Sequence, residues 1–398
     1  MISRALTKLS SLGHFVVQTM LDRAAVISTR AVAAPDDERP LVIVRVDAIG
    51  DFVVWLGSAQ ALVAHYKPRR VVLIANQLVA DLARATELFD EVISLNVKAF
   101  QRDWRYRYAM MRRIRSLGSV VAIQPTYSRS FWLGDGLIKA SGAQERVGQV
   151  GDQNNIRYWQ KRVSDQWYTR LVPNGEPARH EFERNAGFLK ALGISSAAAS
   201  WGRLGFVGER PGSLAGSRAY FVVVPGAGSD RRIWPLDRFA ALSRKVSTQH
   251  DLRLVVCGSP NEKPLCEALA READLDDTLV LAGQTSVPEL IETIRGARLT
   301  VANDSSAVHI AAAVGAPSLC LLGGGHFARF LPYPEELQNL TAQNTPSCVH
   351  ADMPCFNCNW QCSQPHKPKG PFPCIEAITI DQATKTASQL LETRKVFL

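Results

Sequence analysis

No stretch of this 398-residue chain approaches the roughly 18–20 uninterrupted apolar residues that a membrane-spanning helix requires. The first 34 residues also lack the usual form of a secretory signal, because charged residues interrupt their apolar stretch. We therefore expect a cytoplasmic protein, in which thiols stay reduced.

Acidic residues are outnumbered, with 37 Asp and Glu against 46 Lys and Arg, so the formal net charge is +9. This balance favours anionic partners such as phosphorylated ligands, an acidic membrane surface or nucleic acid, and charge alone does not choose among them. The length exceeds one ordinary hydrophobic core and predicts two domains.

Cysteine is absent before Cys257, and five of the eight cysteines crowd one predicted loop, residues 346–375. They are Cys348, Cys355, Cys358, Cys362 and Cys374. The spacing of this group is compatible with zinc or iron–sulfur ligation. The alternative is a lid-like insertion with reduced thiols, and the sequence leaves the choice open.

From Leu41 onward, apolar β-branched runs alternate with helical patterns, which predicts parallel sheets covered by helices on both faces. A segment rich in Gly, Pro and Ser, residues 202–217, separates two such arrays. The sequence thus predicts an α/β protein with two Rossmann-like, doubly wound domains at 39–205 and 218–398. Ligands are expected at the carboxyl ends of the strands, in a cleft. Residues 1–38 are predicted to be an amphipathic extension and linker.

The loop after the first predicted strand contains Gly50 followed by Asp51. Asp51 either caps the next helix or presents a carboxylate that accepts a proton from a substrate. In the second array, Gly226 and Ser229 lie in a loop that exposes backbone amides, and Arg232 offers a cationic fork suited to phosphate. A solvated glycine-rich turn is the alternative for this loop.

Two further loops follow strands of the second array. Glu262 either hydrogen-bonds a ribose diol or occupies the first turn of a helix for its dipole. Residues 303–317 combine a polar loop with a helix of small residues, which suits a pyrophosphate. This segment supplies Asp304, Ser305, Ser306 and His309, the last being either a ligand or a structural histidine.

In this order, these loops resemble glycosyltransferase family 9, whose best-known members are the heptosyltransferases of lipopolysaccharide core assembly. The resemblance covers about residue 41 to the carboxyl terminus, and residues 303–317 are its most specific part. It implies the glycosyltransferase B architecture and an inverting transfer that needs no metal or other cofactor. The implied donor is a nucleotide sugar, with ADP-heptose favoured, and the implied acceptor is a lipopolysaccharide-type glycolipid.

The resemblance also implies residue roles. Asp51 matches the catalytic base, Arg232 a donor-phosphate residue that is usually lysine, and Glu262 the ribose ligand. Asp304 matches the donor-site acid. Where the family commonly has Asp-Ser/Thr-Gly, this chain has Asp304-Ser305-Ser306. The full set of predicted donor-binding residues is Gly226, Ser229, Arg232, Glu262, Asp304, Ser305, Ser306 and His309.

Two other functions are compatible with parts of this sequence. A nucleotide-sugar epimerase on the same fold needs an additional acid–base pair near the sugar, and none is identifiable. A nucleic-acid-binding module finds support in a predicted helix at 104–117, where several arginines alternate with Trp104, Tyr106 and Tyr108, but no recognised nucleic-acid motif accompanies it. A solvated face or an acidic glycolipid explains that helix equally well. Together with residues 2–20, it predicts peripheral binding to an anionic membrane surface, the inner face of the inner membrane.

Overall fold

The computed structural model describes residues 18–20, 22–29, 34–173, 180–194, 202–216, 218–335, 337 and 345–393. Most of the predicted amphipathic segment at residues 2–20 lies outside this range. The described chain forms two compact units. The first comprises Met1–Ala48, Ala59–Pro177 and Gly187–Ala197, and the second comprises Ile49–Ser58, Ala178–Ala186 and Ala198–Leu398. Two segments within the predicted first domain, Ile49–Ser58 and Ala178–Ala186, thus belong to the second unit.

The first unit is built on a parallel sheet of six strands in the order β3-β2-β1-β4-β5-β6. Its strands are β1 Leu41–Arg45, β2 Val71–Asn76, β3 Glu91–Leu95, β4 Val121–Gln124, β5 Glu145–Gln149 and β6 Arg170–Val172. Every residue of β1 is buried, as expected for a central strand that helices cover on both faces.

The second unit holds another parallel six-stranded sheet, in the order β12-β11-β10-β7-β8-β9. Its strands are β7 Tyr220–Val224, β8 Arg253–Val256, β9 Thr278–Val280, β10 Thr300–Asn303, β11 Ser318–Leu321 and β12 Ser347–Val349. Trp234, Phe221 and Phe239 lie in the apolar core against this sheet. The two sheets confirm the predicted α/β fold with two doubly wound arrays.

Helices alternate with the strands in both arrays. Their bounds are α1 Ile49–Tyr66, α2 Gln77–Ala85, α3 Val97–Arg102, α4 Trp104–Ser116, α5 Gly136–Ser141, α6 Tyr158–Ser164, α7 Glu181–Ala191, α8 Leu236–His250, α9 Lys263–Ala273, α10 Val287–Arg295, α11 Ser306–Ala313, α12 Pro373–Glu376 and α13 Ile380–Thr393. A capping box precedes α10, because Ser286 and Glu289 exchange side-chain and backbone hydrogen bonds. Within the described residues, no helix has both the length and the apolarity to cross a bilayer.

The predicted basic face of helix α4 is smaller than the sequence indicates. Arg107 is buried, and its Nε and Nη2 donate to the two carboxylate oxygens of Asp22 at 2.7 Å. Arg113 pairs with Glu91 at 3.1 Å. The sequence pattern shows only that arginines recur along the helix, whereas packing decides which of them reach solvent.

Candidate active site

The predicted donor-binding residues lie in the second unit, on loops at the carboxyl edge of its sheet. Asn303, the last residue of β10, holds two of these loops together. Its Nδ2 donates to the carbonyl of Pro225 at 2.7 Å, and its Oδ1 accepts from the amide of Trp234 at 3.0 Å. The loop after β7 is therefore tied at both ends to the loop after β10. Sequence reasoning did not single out Asn303, although its place at a strand end is the signal that identifies it.

Glu262 lies in a short turn after β8 and forms a capping box with Ser259. Its Oε2 accepts from the amide and the hydroxyl of Ser259, both at 2.7 Å. Its Oε1 lies against Gly226, so close that a β-carbon at residue 226 would overlap with it. In the structure Glu262 thus lies in the first turn of a helix, which is the alternative to a ribose contact. The predicted ribose contact would use the oxygen directed toward Gly226, and it stays a prediction.

Arg232 ends a one-turn 3-10 helix, Asp230–Arg232, within the loop after β7. Its guanidinium carbon lies 3.9 Å from the centre of the Trp360 ring. Burial lowers the pKa of Arg232, and the nearby carboxylate of Asp304 opposes that shift. A guanidinium over the face of an aromatic ring can still donate N–H groups to an anion. Sequence reasoning did not identify Trp360, because in the sequence it is only one residue of the cysteine-rich loop.

Asp304, Ser305 and Ser306 form the start of helix α11. Ser305 is the N-cap residue, and among the described residues its buried hydroxyl has no hydrogen-bond partner. Burial raises the pKa of Asp304, while Arg232 lowers it. The first amides of an α-helix point outward and carry partial positive charge. The loop therefore brings a cation, a carboxylate and a helix amino terminus to one region of the sheet edge.

His309 is buried one turn into helix α11. Its Nδ1 lies 2.6 Å from the hydroxyl of Tyr333, and burial lowers its pKa to about 3. The imidazole is therefore neutral at physiological pH. This environment is the structural alternative considered for His309, and its predicted contact with the donor stays a prediction.

Asp51 lies in the first turn of helix α1, but it is not the N-cap residue, a position that Ala48 occupies without a side-chain hydrogen bond. The preceding Gly50 packs on helix α11. A β-carbon there would come within 3.3 Å of Cδ2 of His309 and 3.4 Å of Cα of Ser306. Asp51 thus follows directly after a residue in contact with the first turn of α11.

The first unit has its own cavity at the carboxyl edge of its sheet, with a volume of about 320 Å³. It is lined by Val46, Asp47, Gln124, Thr126, Ser128, Ser130, Leu133, Gly134 and Asn155. Asp47 is held in place because it pairs with Nε of Arg45 at 2.9 Å and accepts from the hydroxyl of Thr126 at 2.9 Å. A cavity with this many hydroxyl, amide and carboxylate groups suits a polar, hydroxylated molecule.

The family model of glycosyltransferase family 9 (heptosyltransferase) matches residues 137–360, more than half of the chain. The chain belongs to glycosyltransferase family 9. The predicted family resemblance is confirmed, and the two parallel sheets are those of the glycosyltransferase B architecture found in this family's structures.

One relative by sequence and two solved structures show what this chain is similar to. Lipopolysaccharide heptosyltransferase 3 of Escherichia coli K12 is 26% identical over 224 residues, which span 54% of this chain and 62% of that protein. The structure of E. coli ADP-heptose lipopolysaccharide heptosyltransferase II has a TM-score of 0.65 at 16% identity, covering 89% of this chain and 99% of that one. The iron-containing dodecameric glycosyltransferase TibC of enterotoxigenic E. coli has a TM-score of 0.53 at 13% identity, covering 91% and 78%.

The match to the first of these relatives spans less than two thirds of its length. The structural likenesses, at 16% and 13% identity, show the fold alone. Family membership is thus established by the match to residues 137–360, whereas substrates and individual residue roles have to be argued from the side chains of this chain.

Proposed function

We propose that this protein is an inverting glycosyltransferase that moves a sugar, with heptose favoured, from a nucleotide diphosphate to a glycan acceptor. The observation that carries the proposal is the assembly around Asn303, which ties the Arg232 loop to the start of helix α11. An arginine fork and a helix amino terminus at one sheet edge match the negative charge of a diphosphate.

In the proposed reaction, an acceptor hydroxyl forms a bond to the anomeric carbon while the bond from that carbon to the diphosphate oxygen breaks. The hydroxyl proton moves to the carboxylate of Asp51, and the nucleoside diphosphate leaves from the opposite face. Arg232 and the amides of α11 stabilise the charge that develops on the leaving group. Such a preorganised contact is typically worth a few kcal/mol in the transition state.

We propose that this transfer step uses no metal ion, because Arg232 and the helix amides supply positive charge where other transferases use a divalent cation. The assay is transfer in buffer freed of divalent cations, followed by addition of Mg²⁺ or Mn²⁺. An unchanged rate is expected. A large activation by either ion would show that a metal acts on the diphosphate. TibC contains iron, but at 13% identity its likeness to this chain shows the fold alone. The iron of TibC is therefore no evidence for a metal at the transfer site of this chain.

The donor identity is tested by thermal shift and calorimetry with ADP, UDP, GDP and the corresponding nucleotide sugars. We expect ADP and ADP-heptose to bind most tightly, because the name of the similar E. coli ADP-heptose lipopolysaccharide heptosyltransferase II includes ADP-heptose. Mass spectrometry of a reaction with ADP-heptose and a lipopolysaccharide core acceptor should show acceptor-linked sugar and ADP. Epimerised donor formed without acceptor would favour the epimerase instead.

The proposed acceptor is a lipopolysaccharide-type glycolipid, and its hydroxylated sugars suit the cavity around Asp47 and Thr126. Such an acceptor places the enzyme at the inner face of the inner membrane, in the cytoplasm. The test is flotation with vesicles containing anionic lipid, comparing the full chain with a variant that lacks residues 1–34. Salt-sensitive binding that falls on truncation is expected, and equal binding would remove the anchoring role.

A further inference from the structure

Four cysteine side chains of the predicted cysteine-rich loop surround one small cavity in the second unit. They belong to Cys355, Cys358, Cys362 and Cys374. The cavity has a volume of about 10 Å³, which is room for one atom or one water molecule. All four are free thiols rather than disulfides. The fifth cysteine of the loop, Cys348, lies in strand β12 and does not line the cavity.

The backbone between the first three of these cysteines coils tightly. Asn357, Asn359 and Trp360 all adopt positive φ angles, between 50° and 66°. Such angles are rare for residues other than glycine, and for tryptophan the conformation is a genuine outlier. The coil bends the chain so that cysteines three and four residues apart line the same small cavity. Packing of a polar surface loop offers no reason to gather four thiols, whereas binding of an ion does.

The loop is docked on the turn that follows β11. The amides of Asn357 and Asn359 donate to the carbonyls of Gly324 and Gly325 at 2.7 and 3.0 Å. The Trp360 ring lies so close to Gly325 that a β-carbon there would overlap with it. The same ring also contacts the guanidinium of Arg232, whose carbon lies 3.9 Å from the ring centre. The loop that gathers the thiols therefore also positions the aromatic face on which Arg232 rests.

We propose that these four thiols hold a single tetrahedral ion, Zn²⁺ or iron, and that this ion fixes Trp360 against Arg232. Soft thiolate ligands select these metals over Mg²⁺ or Ca²⁺. Among the described residues, no three His, Cys, Asp or Glu side chains already stand in ligand positions about one point. Binding therefore has to draw the four sulfurs inward around the small cavity. The ion is structural and lies apart from the reacting atoms.

The first experiment measures metal without reference to activity. The full-length protein is expressed with zinc, iron or cobalt supplied in turn and purified under reducing conditions. Elemental analysis should give about one ion per chain, and the cobalt form should show the intense visible bands of a tetrahedral four-thiolate site. These bands require no variant, so they test the site even where substitutions impair folding. A stoichiometry near zero in all three preparations would overturn the proposal.

Variants then assign the ligands. Cys358→Ser and Cys374→Ser should each lower metal content severalfold, because a site that loses one of four thiolates binds these ions far more weakly. Cys348→Ser is the matched control and should keep the full stoichiometry, since Cys348 belongs to the same cysteine-rich loop but lies outside the cavity. Equal metal loss in Cys348→Ser and Cys374→Ser would contradict the assignment.

The link to Arg232 rests on the proposed function and has its own measurement. Cys358→Ser should weaken ADP binding about tenfold while adenosine binding stays close to that of the parent protein, because a displaced Trp360 leaves Arg232 without its stacking partner. Trp360→Leu should do the same yet keep the ion. If the parent protein binds the ion but ADP binding is unchanged in both variants, the coupling is wrong and the ion site stands. If the parent protein binds no nucleotide, the proposed function fails independently of the metal.

Discussion

The carboxylate of Glu262 and the α-carbon of Gly226 are so close that residue 226 has no room for a β-carbon. Gly226 does not have a positive φ, so the constraint on this position comes from its neighbour rather than from its own backbone. A methyl group at residue 226 can be accommodated only if the end of the flexible Glu262 side chain moves away. The loop after β7 therefore controls where the carboxylate after β8 lies.

Gly226→Ala should weaken binding of adenosine and of ADP by similar factors, on the order of tenfold, because it displaces the proposed ribose contact and leaves the phosphate contacts in place. Calorimetry with both ligands measures the two factors. Gly228→Ala is the paired variant, since a β-carbon there would come within 2.8 Å of Nη1 of Arg232. It should affect ADP alone. Unchanged adenosine binding in Gly226→Ala would remove Glu262 from the ribose site.

Arg232→Ala should weaken ADP binding by about 10- to 100-fold and adenosine binding little, because the lost charge-assisted hydrogen bonds are to phosphate. Arg231→Ala is a close control. The neighbouring Arg231 also rests on an aromatic ring, that of Phe372 at 4.2 Å, but it donates to the carbonyl of Lys367. Equal losses of ADP and adenosine in Arg232→Ala would place this arginine away from the phosphates.

Asp51→Asn should leave the fold and ADP binding intact and reduce transfer by at least about 100-fold, the usual contribution of a general base. Loss of a first-turn negative charge alone costs a helix only about 0.3–1 kcal/mol. Asp237→Asn makes the same change in the first turn of helix α8 and should retain full activity. Near-normal transfer by Asp51→Asn with a verified acceptor would restrict Asp51 to a helix-stabilising role.

Acid should destabilise the second unit through two buried histidines. Burial lowers the pKa of His180 from 6.5 to about 4 and that of His309 to about 3. The unfolded chain therefore binds protons first as the pH falls below 6.5, and the folded state loses stability until the pH reaches the folded pKa values. Between pH 7.5 and pH 5 the expected loss is about 2 kcal/mol for each histidine.

The measurement is urea unfolding at pH 7.5 and pH 5. The double variant His180→Gln, His309→Asn should lose less stability over this interval than the parent protein, because amides do not titrate. The Gln at residue 180 can still hydrogen-bond to the carbonyl of Phe330, and the Asn at residue 309 can still hydrogen-bond to the hydroxyl of Tyr333. The exposed His65 provides the control, His65→Gln, which should behave as the parent. An identical pH dependence in all three proteins would show that neither buried histidine titrates on unfolding.

Much of the fold follows from local sequence pattern. Strands such as β1 and β7 are continuous runs of β-branched and apolar residues, and such runs in alternation with helices specify a parallel sheet. Strands β6 and β12 were not predicted, because each is a run of only three residues and gives a weak pattern. The helical segment before β5 begins with a π-helical turn, Phe131–Asp135, where Gly134 packs against the side chain of Gln124, and no local pattern predicts this turn.

The sequence by itself determined the fold class, the family and the four loops that carry the candidate donor site, since all of these depend on residue types at short spacings. Tertiary structure alone decided which side chains meet. It buried Arg107 against Asp22, paired His309 with Tyr333, and placed Trp360 under Arg232. The two partners in these contacts are 85, 24 and about 130 residues apart in the sequence. Contacts between residues so far apart in the sequence arise from the packing of whole elements, and a local sequence pattern does not predict them.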